Sequence, residues 1–205
     1  MRRRTTIMCS GPIVAVMLAA AWTAGAQQPA AVPIEQEPMH KIVFKNDFAR
    51  IIDATLPPGY VTLNHTHAAD SIAVTIALGR EGTAGARGLG RAAFSKGGYS
   101  HSVTNSGTSN MRFIVVEPFK SDRPGAAAAV LPKHVLETEN DRARIYRAKL
   151  DAAESLENHT HGAGWVEVTV TGGAGPGSYV WTSAGEAHPL KAGSAALEVV
   201  EIEPK

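Results

Sequence analysis

Cysteine is nearly missing from this 205-residue chain: the one present is Cys9. With no second cysteine there is no internal disulfide. Cys9 also sits in an apolar leader, so after leader removal no thiolate is left as nucleophile or metal ligand. Long hydrophobic runs are missing too. The apolar stretch is cleanest from Ile13 to Trp22, with Gly11 and Pro12 just before it, and is too short for a good transmembrane helix. There is no basic stripe and no interleaving of basic and aromatic residues, which argues against a nucleic-acid partner. No amphipathic basic helix points to a membrane surface. Removing Arg2, Arg3 and Arg4 from the 20 Lys and Arg leaves 17 against 19 Asp and Glu. A chain so close to neutral points to a small-molecule partner.

The N-terminus is read as a secretory signal. Basic Met1-Arg2-Arg3-Arg4, the short apolar core and Ala24-Gly25-Ala26 predict cleavage after Ala26. The expected compartment is the periplasm or the exterior, with no membrane contact after cleavage. Both the general secretory and the twin-arginine routes stay open.

What the chain does have is histidine in register. His40, His65 and His67 recur 94 residues later as His134, His159 and His161, and His101 recurs 87 residues later as His188. Around them Asn46–Ile51 repeats as Asn140–Ile145, Val74-Thr75 as Val168-Thr169 and Gly79 as Gly173. Val115-Val116-Glu117 is read as repeating in Val199-Val200-Glu201. A period this long marks a domain duplication. Each copy, of roughly 75–90 residues, gains core by packing on its twin. The expected divisions are signal 1–26, lead-in 27–38, first domain 39–120, linker 121–132 and second domain 133–205. The linker's alanines suggest a short helical turn, and the first copy carries a longer loop around Glu81–Gly90.

Strand signals dominate. Runs at 41–44, 49–56, 71–78, 111–117, 143–150, 165–171 and 195–202 are β-rich or alternating. Gly, Pro and Asn clusters separate them. Nothing reads as a long capped helix, and an all-β pair of jelly-roll barrels is expected. In a strand, residues two apart share a face, so His65-Thr66-His67 and His159-Thr160-His161 each aim two imidazoles into one cavity.

These residues resemble the cupin signature, G-x5-H-x-H-x(3–4)-E-x6-G followed by G-x5-P-x-G-x2-H-x3-N. Gly59-x5-His65-Thr66-His67 fits the first motif, and Gly90-x5-Lys96-x-Gly98-x2-His101-x3-Asn105 the second, with lysine in place of proline. The second copy keeps His159-Thr160-His161 and Gly177-x5-Ser183-x-Gly185-x2-His188. There Ala153, Ser183 and Ala192 replace the glycine, proline and asparagine. The chain therefore resembles a bicupin over nearly all of its length after the leader. The resemblance implies one divalent transition metal per domain, held by His65, His67 and His101 and by His159, His161 and His188. The metal stays open among Fe, Mn, Zn, Cu and Ni. The carboxylate that usually follows H-x-H is missing, since Ser71 and Ile72, and Trp165 and Val166, stand there. By strand parity Glu167 is the acid nearest the second site, a candidate fourth ligand and the candidate catalytic acid/base. Asp70, the nearby acid of the first copy, has the wrong parity.

His40 and His134 are expected to reflect shared structure rather than ligation. Glu117 and Glu201 are read as structural partners of Arg50 and Arg144. Tyr99, Tyr179 and Trp181 are expected to pack, and Arg112 to be solvated. The resemblance implies a metal-dependent oxidoreductase of dioxygenase type, with decarboxylase or isomerase chemistry less favoured. A non-catalytic metal-binding or small-molecule-binding protein is the alternative, and homodimerisation is an open possibility.

Overall fold

The computed structural model describes residues 30–80 and 88–205. The leader, Cys9 and most of the longer loop of the first copy lie outside the described residues.

The described residues form fifteen strands. The first half has β1 (Val32–Pro33), β2 (His40–Lys45), β3 (Ala49–Leu56), β4 (His65–His67), β5 (Ser71–Leu78), β6 (Ala92–Ser95), β7 (Tyr99–His101) and β8 (Met111–Pro118). The second has β9 (His134–Glu139), β10 (Ala143–Leu150), β11 (Ser155–His159), β12 (Trp165–Thr171), β13 (Tyr179–Thr182), β14 (His188–Lys191) and β15 (Leu197–Pro204). Among the described residues the one helical element is a 3-10 turn at Ile34–Gln36. The all-β expectation holds.

Each half pairs a five-stranded sheet with a smaller one. The large sheets run β2-β3-β8-β5-β6 and β9-β10-β15-β12-β13, the same order twice. The small ones are β1-β4-β7 and β11-β14. Strand parity then decides where each residue faces. From the large sheets Ile51, Ile72, Val74, Ile114 and Val116 meet Ile145, Val166, Val168, Val200 and Ile202 in one core shared by the halves. The alternate residues face inward, toward the small sheets. There Ile34, Ile52 and Val115 form an inner core in the first half, and Ala148, Leu150, Leu190, Leu197 and Val199 one in the second. Polar contacts rim the shared core. Arg142 Nε lies 2.8 Å from Asp70 Oδ2, Arg112 Nη1 donates to Pro176 O at 3.0 Å, and Phe48 stacks on Trp181 at 5.6 Å.

Several expectations change. The lead-in belongs to the first half from Val32 on. Val32 and Pro33 pair in parallel with His65 and Thr66, and Ile34 and Glu37 are buried. The linker Ser121–Pro132 forms no helix. It is pinned instead by Asp122, which accepts from Gly164 N at 2.7 Å and Ala184 N at 2.8 Å. Arg112 is not solvated but pairs with Asp53 at 2.8 Å. At its end the repeat runs two residues out of the expected register. Arg50 faces Glu117 across β3 and β8, while Arg144 faces Glu203 across β10 and β15. Glu117 therefore corresponds to Glu203, and Glu201 corresponds to Val115. Arg50 Nε donates to Glu117 at 2.6 Å, and Arg144 Nη1 donates to Glu203.

Candidate metal centres

In the first half H-x-H does what its parity dictates. His65 and His67 are buried with Thr66 between them facing out. β7 pairs with β4 so that His101 stands opposite His65. His101 Nε2 comes to 3.3 Å from His67 Nε2. In the second half β14 brings His188 opposite His159, with the two Nε2 atoms 2.8 Å apart. Two nitrogens bound to one metal at about 2.0–2.1 Å lie roughly 2.8–3.4 Å apart at bond angles near 90–109°. One pair in each half, His67 with His101 and His159 with His188, thus stands at a spacing a shared ion would give, while His101 and His188 fall outside the tightest groups of donors.

The large sheets contribute residues that the sequence reading set aside. Single ligand atoms of His40, His65 and His67 lie within 4.8 Å of one another, and so do those of His134, His159, His161 and Glu201. His40 and His134 therefore join the clusters instead of merely marking the repeat. Glu201, fully buried, joins the second cluster and does not pair with Arg144. The signal for His40 and His134 was their shared 94-residue offset with the H-x-H pairs.

Second contacts fix the tautomers. His65 Nδ1 donates to Leu63 O at 2.9 Å, His134 Nδ1 to Pro132 O at 2.8 Å and His159 Nδ1 to Glu157 O at 3.2 Å. His40 Nδ1 bonds Glu37 Oε2 at 2.6 Å. A ring that donates through Nδ1 presents a lone pair at Nε2, the arrangement that metal-binding histidines use. Among the described residues, His65 Nε2, His67 Nδ1, His134 Nε2, both His161 nitrogens and both Glu201 oxygens are buried without a hydrogen-bond partner. So many unsatisfied polar atoms in two places fit a bound cation, which supplies the missing partner.

Electrostatics agree. Burial pushes His67 down to about 3, helped by the charges of His101 and His65. It likewise pushes His161 to about 3 and His188 to about 4. These rings stay neutral, as ligands must be. His134 is different: burial opposes its charge, but the Glu201 carboxylate at 3.1 Å outweighs that and raises it. Burial also tends to raise Glu37, yet donation from His40, Tyr60 and Met39 N holds it low.

Glu167 lies beside the second cluster rather than in it. Its Oε2 is 3.9 Å from His188 Nδ1, while His188 Nε2 faces His159. Burial and the Glu201 charge opposite raise it to about 7. A cavity of about 240 Å³ opens next to it, with Thr169, Tyr179, Lys191 and Leu197 among its walls. The first half encloses about 130 Å³ lined by Ala54, Ala73, Val103, Phe113 and Val115 beside His40, His67, His101 and Tyr99. An aromatic braces the second H-x-H histidine in both halves. Tyr99 stacks on His67 at 4.8 Å, and Trp165 on His161 at 3.8 Å. Trp165, at the usual carboxylate position, is thus packing for a ligand-type histidine.

No family model matches the chain, and no curated protein matches it. Solved structures do. Salicylate 1,2-dioxygenase from Pseudaminobacter salicylatoxidans aligns with a TM-score of 0.50 and 11% identity, over 76% of this chain and 70% of that one. A mutant of that enzyme in complex with gentisate gives 0.52 and 12% identity over 76% and 68%. A cupin 2 conserved barrel domain protein from Leptotrichia buccalis aligns at 0.45 and 11% identity over 81% and 88%. Likeness at these identities is likeness of fold, and the fold of this chain is that of the cupins.

Proposed function

We propose that the chain is an exported bicupin that holds one divalent transition metal in each half and acts as a dioxygenase-like oxidoreductase on a small organic molecule. The reading rests on one observation above all: converging histidines anchored through Nδ1, with Nε2 turned inward, in two repeated clusters. His40, His65, His67 and His101 would hold the first ion. His134, His159, His161, His188 and Glu201 would hold the second. A bound ion of this kind supplies Lewis-acid and redox chemistry.

The chain's own residues add orientation and proton handling. Glu167, poised near neutrality beside His188, is suited to take a proton from a bound substrate and return it. Phe113, Val115 and Val103 would seat an apolar group and keep water from the first cluster. The resemblance to a dioxygenase supports oxidative chemistry over decarboxylation, because the motif carboxylate is replaced in both copies.

The test is oxygen uptake by protein reconstituted anaerobically with Fe(II) and offered a panel of small aromatic and aliphatic acids, gentisate included. The reading predicts substrate-dependent uptake that falls at least about a hundredfold in Glu167→Gln and at least as far in His161→Ala. Metal bound with no uptake on any substrate would contradict turnover and favour a binding role.

A further inference from the structure

The two halves share one plan and depart from it most sharply at one cross-strand pair. β5 and β8 meet at Ala73 and Val115, and β12 and β15 meet, in the same register, at Glu167 and Glu201. Two apolar residues of the first half are replaced by two carboxylates at the matching positions of the second. Glu201 has no exposure, and neither of its oxygens accepts a hydrogen bond. Its nearest partners are His134 Nε2 at 3.1 Å and the neutral His161 ring, Nε2 at 3.4 Å. Among the described residues no lysine or arginine pairs with it, whereas Glu117 and Glu203 each have an arginine. A buried carboxylate without hydrogen bonds calls for a positive partner, which His134 supplies when protonated and a bound ion would supply in its place. The four donors His134, His159, His161 and Glu201 already converge. Trp165, stacked on His161, fills the place after H-x-H where a carboxylate would otherwise come. The oxygen donor arrives instead from the last strand.

We propose that Glu201 is the oxygen ligand of the second centre and that it makes the two halves take different metals. With imidazole and carboxylate together, the second half binds Mn(II). The first half, where Val115 stands in its place, offers nitrogen alone and takes Zn(II) or Cu(II) while excluding Mn(II). Carboxylate suits Mn and imidazole suits Zn and Cu, which is the physical ground of the sorting. The inference rests on the metal-binding reading above.

Mn(II) titration, followed by loss of the electron paramagnetic resonance signal of the aquated ion, tests it together with Zn(II) content per chain. The wild type is expected to bind one Mn(II) but two Zn(II). Glu201→Gln should weaken Mn(II) binding at least about tenfold, the loss that even outer-shell changes bring, and still take up Zn(II). His67→Ala should retain Mn(II). Glutamine matches glutamate in shape, so metal-free Glu201→Gln should still unfold in one cooperative transition, and its loss of Mn(II) is then the loss of a ligand and not of the fold. Mn(II) affinity unchanged in Glu201→Gln, or two Mn(II) bound by wild type, would overturn the sorting. Failure of the wild type to bind either metal would overturn the metal-binding reading itself.

Discussion

Ala153 stands where the first half has Gly59, and both adopt the left-handed backbone, at φ +60° and +76°. A residue with a Cβ is strained there by about 1–2 kcal/mol. Ala153→Gly should therefore stabilise the chain by about 1 kcal/mol, seen as a melting temperature about 2–4 °C higher; no change or a decrease would contradict the strain. The histidines set the acid response. His40, His67, His101, His161 and His188 are all depressed, mainly by burial. The unfolded chain then binds more protons than the folded one as pH falls below about 6.5. Each such ring removes at most about 1.4 kcal/mol per pH unit until its own folded value is reached. Glu167 and Glu203, raised by burial, act in the opposite direction, and the stability that His134 gains from being raised by Glu201 is present in full below the ordinary histidine value. Five against two gives a net loss. In chelator the melting temperature should drop steadily from pH 6.5 to 4.5, and a flat profile would contradict neutral, desolvated rings. The H-x-H histidines were legible because period-two alternation aims both at one cavity, and His101 and His188 because their spacing repeats. Glu201 was not, because Val199-Val200-Glu201 matches Val115-Val116-Glu117 by residue type at an offset of 84, whereas strand register sets Glu117 against Glu203 at 86, nearer the 87 of His101 and His188.

The long strands could be read at the level of the element: 49–56, 71–78, 143–150 and 165–171 match the observed β3, β5, β10 and β12. The short ones could not. β7 is three residues long and β1 two, too few to show any alternation, and β1 exists because β4 offers it an edge. The repeated Arg50 and Arg144 pairings do more than close strand ends. Arg50 bonds Glu117, buried, and Glu35 of the 3-10 turn, tying the lead-in to the large sheet. Arg50→Ala would strand Glu117 inside the protein and should cost about 3–5 kcal/mol, read by urea unfolding of the full chain. A loss below about 1 kcal/mol, typical of a surface pair, would contradict this role.

Taken as a whole, the molecule places its two clusters on opposite sides of a common wall. Each large sheet gives one face to the shared core and the other to its own cluster, so the centres are separate while the fold is one. The duplication announced this arrangement, but not that the halves would join through their large sheets, since a buried face looks the same in sequence whichever partner covers it. If each half holds a metal through its own histidines, the two sites should load and fail independently. The most direct test is metal content per chain by elemental analysis, on protein purified without chelators or a histidine tag, with wild type beside His67→Ala and His161→Ala. Two metals are expected in wild type and one in each variant. No bound metal, even after incubation with Mn, Fe, Cu, Ni or Zn, would contradict that expectation.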